Sequence, residues 1–170
     1  MKRILLVPLL LVLGPACVPM VQALNGLDDD TPDTWAYDGQ ARWQGRDEGT
    51  LSGSLSSVGE MQDEPAEVEL WIDDGMDVDI RTHKPDGSWA MVAGWVPLDE
   101  PLAPGQVLDM TTYGIGCWGP EEGAYDYDGM PESGQVFVDE GADGSLVITV
   151  DMGFEDGFAT GVAVADPIDG

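Results

Sequence analysis

The chain has 170 residues, in which 33 Asp and Glu stand against 6 Lys and Arg, for a formal net charge of −27. This charge argues against nucleic acid as a partner, because nucleic-acid binding requires a basic surface. One histidine and two cysteines are too few for a zinc site, which takes several His or Cys ligands.

The N-terminal residues predict a secretion signal. Lys2 and Arg3 precede an apolar run over residues 4–13, which is too short to span a bilayer but typical of a signal peptide. The next residues, 14–17, read Gly-Pro-Ala-Cys and resemble the lipobox of bacterial lipoproteins. The resemblance covers only the first 17 residues. It implies that Cys17 is lipidated and that the protein is exported and anchored to a membrane of the bacterial envelope.

A second cleavage site is possible after Ala23, where small residues suit ordinary signal peptidase. Cleavage there would release a periplasmic or secreted protein. The predicted organisation is a signal peptide at 1–16, a flexible acidic tether at 17–34, one domain at 35–166 and a short tail at 167–170.

The domain is predicted to be all-β. Gly or Pro interrupts nearly every possible helix after Trp35, and Asp-Gly pairs recur between alternating apolar residues, which is a hairpin signal. Strands are predicted at 40–44, 50–58, 67–73, 76–82, 88–96, 106–117, 135–139, 145–151 and 158–165. This pattern favours a single antiparallel β-sandwich, immunoglobulin-like or jelly-roll-like, with a small β-barrel as the alternative.

The segment 68–80 carries the clearest hairpin. A three-residue loop at 73–75 keeps all of its apolar side chains on one face, whereas a two-residue loop would set acids among them. The predicted pairs are Ile72 with Met76, Leu70 with Val78, and Val68 with Ile80.

The same register predicts an unusual outer face for this hairpin. Glu69 lies opposite Asp79, and Trp71 lies opposite Asp77. Like charges directly opposite each other are destabilising by up to about 1 kcal/mol. We therefore expect salt, a cation or a basic partner to offset the repulsion.

Two further strand features follow from the sequence. In the hairpin formed by 135–139 and 145–151, we predict that Val136 pairs with Ile148 and Val138 with Leu146. In the last strand, the small residues at 161, 163 and 165 predict the close approach of another layer or strand.

Two acidic turns are candidate calcium sites, because calcium binds oxygen ligands. One contains Asp126, Asp128 and Glu132, and the other contains Asp139 and Asp143. Neither completes an EF-hand loop, so a solvated acidic turn is the alternative. The acids of the 68–80 hairpin are a third candidate, and no other cofactor is indicated.

The segment 89–95 places Trp89 and Trp95 on one face of a strand that is apolar on both faces. Such a strand is usually central and buried. The alternative is an exposed aromatic platform that binds a glycan or a protein. The candidate binding residues are Trp71, Asp77, Asp79, Trp89, Trp95, Tyr125 and Tyr127.

Catalytic patterns are weak. His83 lies at a strand end and no Gly-x-Ser-x-Gly elbow is present, while Cys117 is predicted to be a buried, inert lone thiol. We predict a non-catalytic, exported and lipid-anchored envelope protein that acts as a binding or structural module. The alternatives are a calcium-assisted module that binds glycan or protein, and a hydrolase that uses two carboxylates.

Overall fold

The computed structural model describes residues 42–73, 75–121 and 127–168. The regular elements of these residues are all strands, and none of these residues belongs to a helix that could cross a bilayer. The strands are β1 (Trp43–Gly45), β2 (Glu48–Leu55), β3 (Gly59–Ile72), β4 (Gly75–His83), β5 (Trp89–Pro97), β6 (Val107–Asp109), β7 (Gly114–Gly119), β8 (Tyr127–Gly129), β9 (Ser133–Glu140), β10 (Leu146–Phe154) and β11 (Gly157–Pro167). The predicted all-β class is confirmed.

All 11 strands belong to one antiparallel sheet, in the order β6-β9-β10-β11-β2-β3-β4-β5-β7-β8, with β1 paired to β11. The sheet does not close, and its two halves pack face to face like the layers of a sandwich. The rings of Trp118 on β7 and Phe154 on β10 meet edge to face, with centroids 5.1 Å apart. The core therefore lies between the two halves.

Small residues on β11 allow this close packing. Gly161 is buried, and a Cβ at its position would overlap the side chain of Ile80 on β4 and press on Val92 on β5. Ala163 and Ala165 are fully buried on the same face. The predicted close approach of another layer to this strand is confirmed.

The predicted register of the first hairpin is confirmed. The observed pairs are Ile72 with Met76, Leu70 with Val78, Val68 with Ile80, Glu69 with Asp79, and Trp71 with Asp77. The Asp73 N–H donates to the carbonyl of Gly75 over 3.0 Å, and the Asp73 carboxylate accepts from the Gly75 N–H over 3.3 Å. Position 75 needs glycine, because any Cβ there would overlap the indole of Trp95.

The predicted register of the second hairpin is wrong by two residues. Val136 pairs with Val150 and Val138 with Ile148. A tight turn sets this register, because the Gly141 N–H donates to the Ser145 carbonyl over 2.8 Å. A shift of two residues leaves every side chain on its own face, so the apolar alternation could not reveal the error.

The strand boundaries differ most from prediction at two places. The predicted strand 106–117 is divided into β6 and β7 by a turn in which the N–H groups of Tyr113 and Gly114 donate to the Met110 carbonyl. β3 begins already at Gly59, where charged residues hide the alternation. An irregularity in the β2–β3 register accommodates that segment, and Asp63 there has a φ of 48°.

Candidate functional site

A groove of about 440 Å³ lies between β1 and the end of β3. It forms because β1 pairs with β11 and does not continue alongside β3. The Val68 N–H still donates to the Asp47 carbonyl over 2.8 Å, but the Arg46 N–H donates to Val164 of β11, also over 2.8 Å. Gly45 remains against Leu70, where it leaves no room for a side chain.

The groove combines an apolar floor with an acidic rim. Its apolar lining residues are Trp43, Val68, Leu70, Trp71, Ile72 and Ile168, and its acidic lining residues are Asp47, Glu69 and Asp73. Trp43 is held in place because its indole Nε1 donates to the Leu102 carbonyl over 3.3 Å. This composition suits a ligand that is apolar in one part and positively charged in another.

Trp71 is the most exposed large apolar side chain in the described residues, at 71% of its full accessibility. The alternation of β3 causes this exposure, because it turns Leu70 and Ile72 toward the core and Trp71 outward. Tryptophan is enriched at the energetic centres of protein interfaces. An exposed indole beside a groove is therefore the strongest binding signal in the site.

The outer face of the hairpin, hereafter the acidic face, consists of Glu69, Asp77 and Asp79, with Trp71 beside them. Burial, followed by the charges of Glu69 and Asp73, raises the pKa of Asp77. The pKa of Asp79 is raised to about 6, foremost by burial and further by Glu69 and Asp77. The acidic face is thus under electrostatic repulsion, as its register predicts.

Arg81 only partly offsets this repulsion. Its Nη2 lies 3.4 Å from the Asp79 carboxylate, which is a long hydrogen bond, and 3.3 Å from the Met91 sulfur. Its Nε is buried with no hydrogen-bond partner. The positive charge of Arg81 lowers the pKa of Asp79, but burial outweighs it.

The remaining predicted aromatic residues are placed differently from Trp71. Trp89 is 6% exposed, and its indole donates to the Glu121 carbonyl over 3.0 Å. Trp95 is half-buried and packs edge to face with Tyr113, with ring centroids 5.4 Å apart. β5 is thus a central, buried strand. Tyr125 and the side chain of Tyr127 lie outside the described residues.

Among the residues that the structure describes, no group of three or more His, Cys, Asp or Glu could hold a metal ion. Asp143 is instead bound by Ser145 and Arg46, which hold its pKa well below its usual range. Glu132 and Asp139 are exposed. Asp126 and the side chain of Asp128 lie outside the described residues.

Sequence reasoning missed an ion-pair group, hereafter the Arg46 cluster, formed by Arg46, Asp143 and Asp166. Arg46 donates to both carboxylate oxygens of Asp166, over 3.0 and 2.6 Å, and to Asp143 over 3.1 Å. The hydrogen bond from Arg46 lowers the pKa of Asp166. The acids lie 97 and 120 residues from Arg46 in the chain, so no local pattern could reveal the cluster.

Cys117 is 1% exposed and disulfide-bonded. Its predicted burial is confirmed, whereas the prediction of a lone thiol is wrong. The other cysteine of the sequence, Cys17, lies outside the described residues.

A hydrolase that uses two carboxylates requires them to converge in a cleft. Asp79 has the raised pKa that an acid catalyst needs. However, Asp77 and Asp79 line neither the groove at Trp71 nor a smaller groove of about 230 Å³ beside β6 and β9.

Comparison with protein-family models, with curated proteins and with solved structures found no match for this chain.

Proposed function

We propose that this protein is an exported, lipid-anchored and non-catalytic module that binds a protein partner in the groove between β1 and β3. The observation that carries the proposal is Trp71, which is 71% exposed beside a groove of about 440 Å³. This volume falls within the range of about 300–1,000 Å³ that is usual for ligand sites.

Physical chemistry supports a role for Trp71 in binding. Leaving a large aromatic side chain in water forgoes the stabilisation that its burial would provide. A partner that covers the indole recovers this stabilisation at the interface. Trp71 points outward and is available to a partner, because Leu70 and Ile72 already fill the core beneath it.

Selection from a displayed library of random peptides tests the binding proposal. The immobilised protein should enrich peptides that Trp71→Ala does not retain. Phe158→Ala is the matched control, because Phe158 is also exposed, at 53%, but does not line the groove; it should retain the same peptides. Enrichment that is equal on all three proteins, or no enrichment, would remove the proposed binding site.

The proposed anchor rests on the lipobox-like segment and on Cys17. A cysteine whose sulfur carries a lipid cannot also form a disulfide. Cys117 is disulfide-bonded in the structure, and the sequence has one other cysteine. Lipidation of Cys17 and an intrachain disulfide are therefore alternative states of the chain, and we propose that the anchored protein has the lipidated state. Labelling cells with a radioactive fatty acid should mark the native chain and Cys117→Ser but not Cys17→Ala. A native chain that takes up no label and shows a Cys17–Cys117 bond by non-reducing peptide mapping would contradict the anchor.

A further inference from the structure

The groove at Trp71 has a charge pattern that restricts its partner. Its rim carries Asp47, Glu69 and Asp73, and the acidic face with Asp77 and Asp79 continues from it across β4. We infer that the partner is a cationic peptide segment whose Arg or Lys side chain lies on Trp71, with its charged head at Glu69 and Asp73. This inference rests on the proposed function.

Electrostatics favours a cation at this position. Glu69 raises the pKa of both Asp77 and Asp79, so its negative charge is felt across the acidic face. A positive charge next to Glu69 would reduce this repulsion. The net charge of −27 also attracts cationic partners over longer distances and speeds their association.

The shape of the groove favours a long side chain over a bare ion. Arg and Lys bury an aliphatic stem along apolar surface while the charged head stays in water, and the groove offers the exposed side chains of Trp71 and Ile168 beside its acidic residues. A guanidinium or ammonium group also binds the face of an indole through cation–π attraction, which Trp71 can supply. A bare metal ion would make no use of these apolar residues.

The inference can be tested with three synthetic peptides that differ only at two positions. The parent peptide, with capped ends, is Gly-Ser-Arg-Val-Arg-Ser-Gly. In the second peptide citrulline replaces both arginines, which removes the charge and keeps the shape; in the third, glutamate replaces them. Fluorescence anisotropy of labelled peptides gives the affinities. The arginine peptide should bind about tenfold more tightly than the citrulline peptide, and the glutamate peptide should bind least.

Variants of the protein locate the contact. Trp71→Ala should weaken binding of the arginine peptide about tenfold, equivalent to about 1.4 kcal/mol, and Glu69→Gln should weaken it several-fold. Glu60→Gln is the matched control on the same strand, because Glu60 is exposed but does not line the groove; it should bind normally. Urea unfolding midpoints of the three variants that are no lower than the native midpoint would establish that folding is intact.

The outcomes separate the two proposals. Suppose that the binding of library peptides depends on Trp71. If the citrulline peptide then binds as tightly as the arginine peptide, or if the arginine peptide does not bind, the inference of a cationic partner is wrong and the proposed binding groove stands. If neither library peptides nor the arginine peptide depend on Trp71, both proposals fail.

Discussion

The acidic face and the Arg46 cluster hold carboxylates in opposite electrostatic states. In the Arg46 cluster, one guanidinium donates to Asp143 and Asp166, and the pKa of each acid is lowered. In the acidic face, Asp77 and Asp79 are partly buried beside Glu69, and their pKa values are raised. The Arg46 cluster joins distant parts of the chain through ion pairs. The acidic face retains a repulsion between carboxylates that a cationic partner could relieve.

The difference follows from position in the sheet. Arg46 lies where the chain turns from β1 to β2, within reach of the turn before β10 and of the end of β11. The acidic face lies at the centre of a hairpin whose register is set by apolar residues on its other side. Packing of the core therefore imposes Glu69 opposite Asp79, whatever the cost in repulsion.

The largest stability effect is expected at Asp79. A folded-state pKa of about 6 lies above the ordinary value of about 3.9, so the folded chain binds more protons than the unfolded chain between these pH values. Wild-type stability should therefore fall as pH rises through about 6. Asp79→Asn removes this penalty and should raise the free energy of unfolding at neutral pH by about 1–3 kcal/mol, at most about 1.4 kcal/mol per pKa unit.

Urea unfolding near pH 7.5 and near pH 4 measures this effect. The gain from Asp79→Asn should be large at the higher pH and should nearly vanish at the lower pH. Glu155→Gln, at an exposed turn between β10 and β11, controls for the loss of one negative charge and should change stability little. A gain that is the same at both pH values would show that repulsion and burial of charge are not the cause.

A smaller effect of opposite sign is expected at Arg46. Arg46→Gln removes the charged partner of Asp143 and Asp166 and should lower stability at neutral pH. Because these acids have lowered pKa values in the folded protein, the stabilisation exists above their ordinary pKa and is lost as pH falls through the lowered values. The loss is modest, since exposed ion pairs contribute little and these side chains are 43–62% exposed.

Thermal melting of Arg46→Gln at neutral pH and at a pH below 3 measures this second effect. The exposed Arg42 provides the control, since Arg42→Gln removes the same charge outside the cluster. The two variants should differ at neutral pH and converge in acid. Equal melting temperatures at neutral pH would mean that the cluster contributes nothing to stability.

The two hairpins explain how much of the fold could be predicted. In the β3–β4 hairpin, the alternation excluded the two-residue loop, which would have set acids in the core. The Asp-Gly turn signal then favoured the three-residue loop among the registers that keep the faces. In the β9–β10 hairpin, a shift of two residues keeps every side chain on its face. The hydrogen bonds of the 141–145 turn then determine the register, and these depend on three-dimensional geometry that the alternation does not encode.

The candidate site divides in the same way. Trp71 and the acidic face were predicted, because both belong to one local hairpin. The groove beside them was not, because Trp43 and Ile168 reach it only through the pairing of β1 with β11. Likewise, the burial of Trp89 depends on more than its own strand. The alternation alone was compatible with a buried strand and with an exposed aromatic platform.

By itself, the sequence determined the all-β class, the pairing within the first hairpin and the outward position of Trp71 among acids. These follow from the period-two alternation of neighbouring residues and from the Asp-Gly turn signals between them. Only the tertiary structure decided where the groove lies, which acids Arg46 neutralises and which tryptophans are covered. These features bring together residues far apart in the chain, and their contacts arise from how the sheet folds over itself.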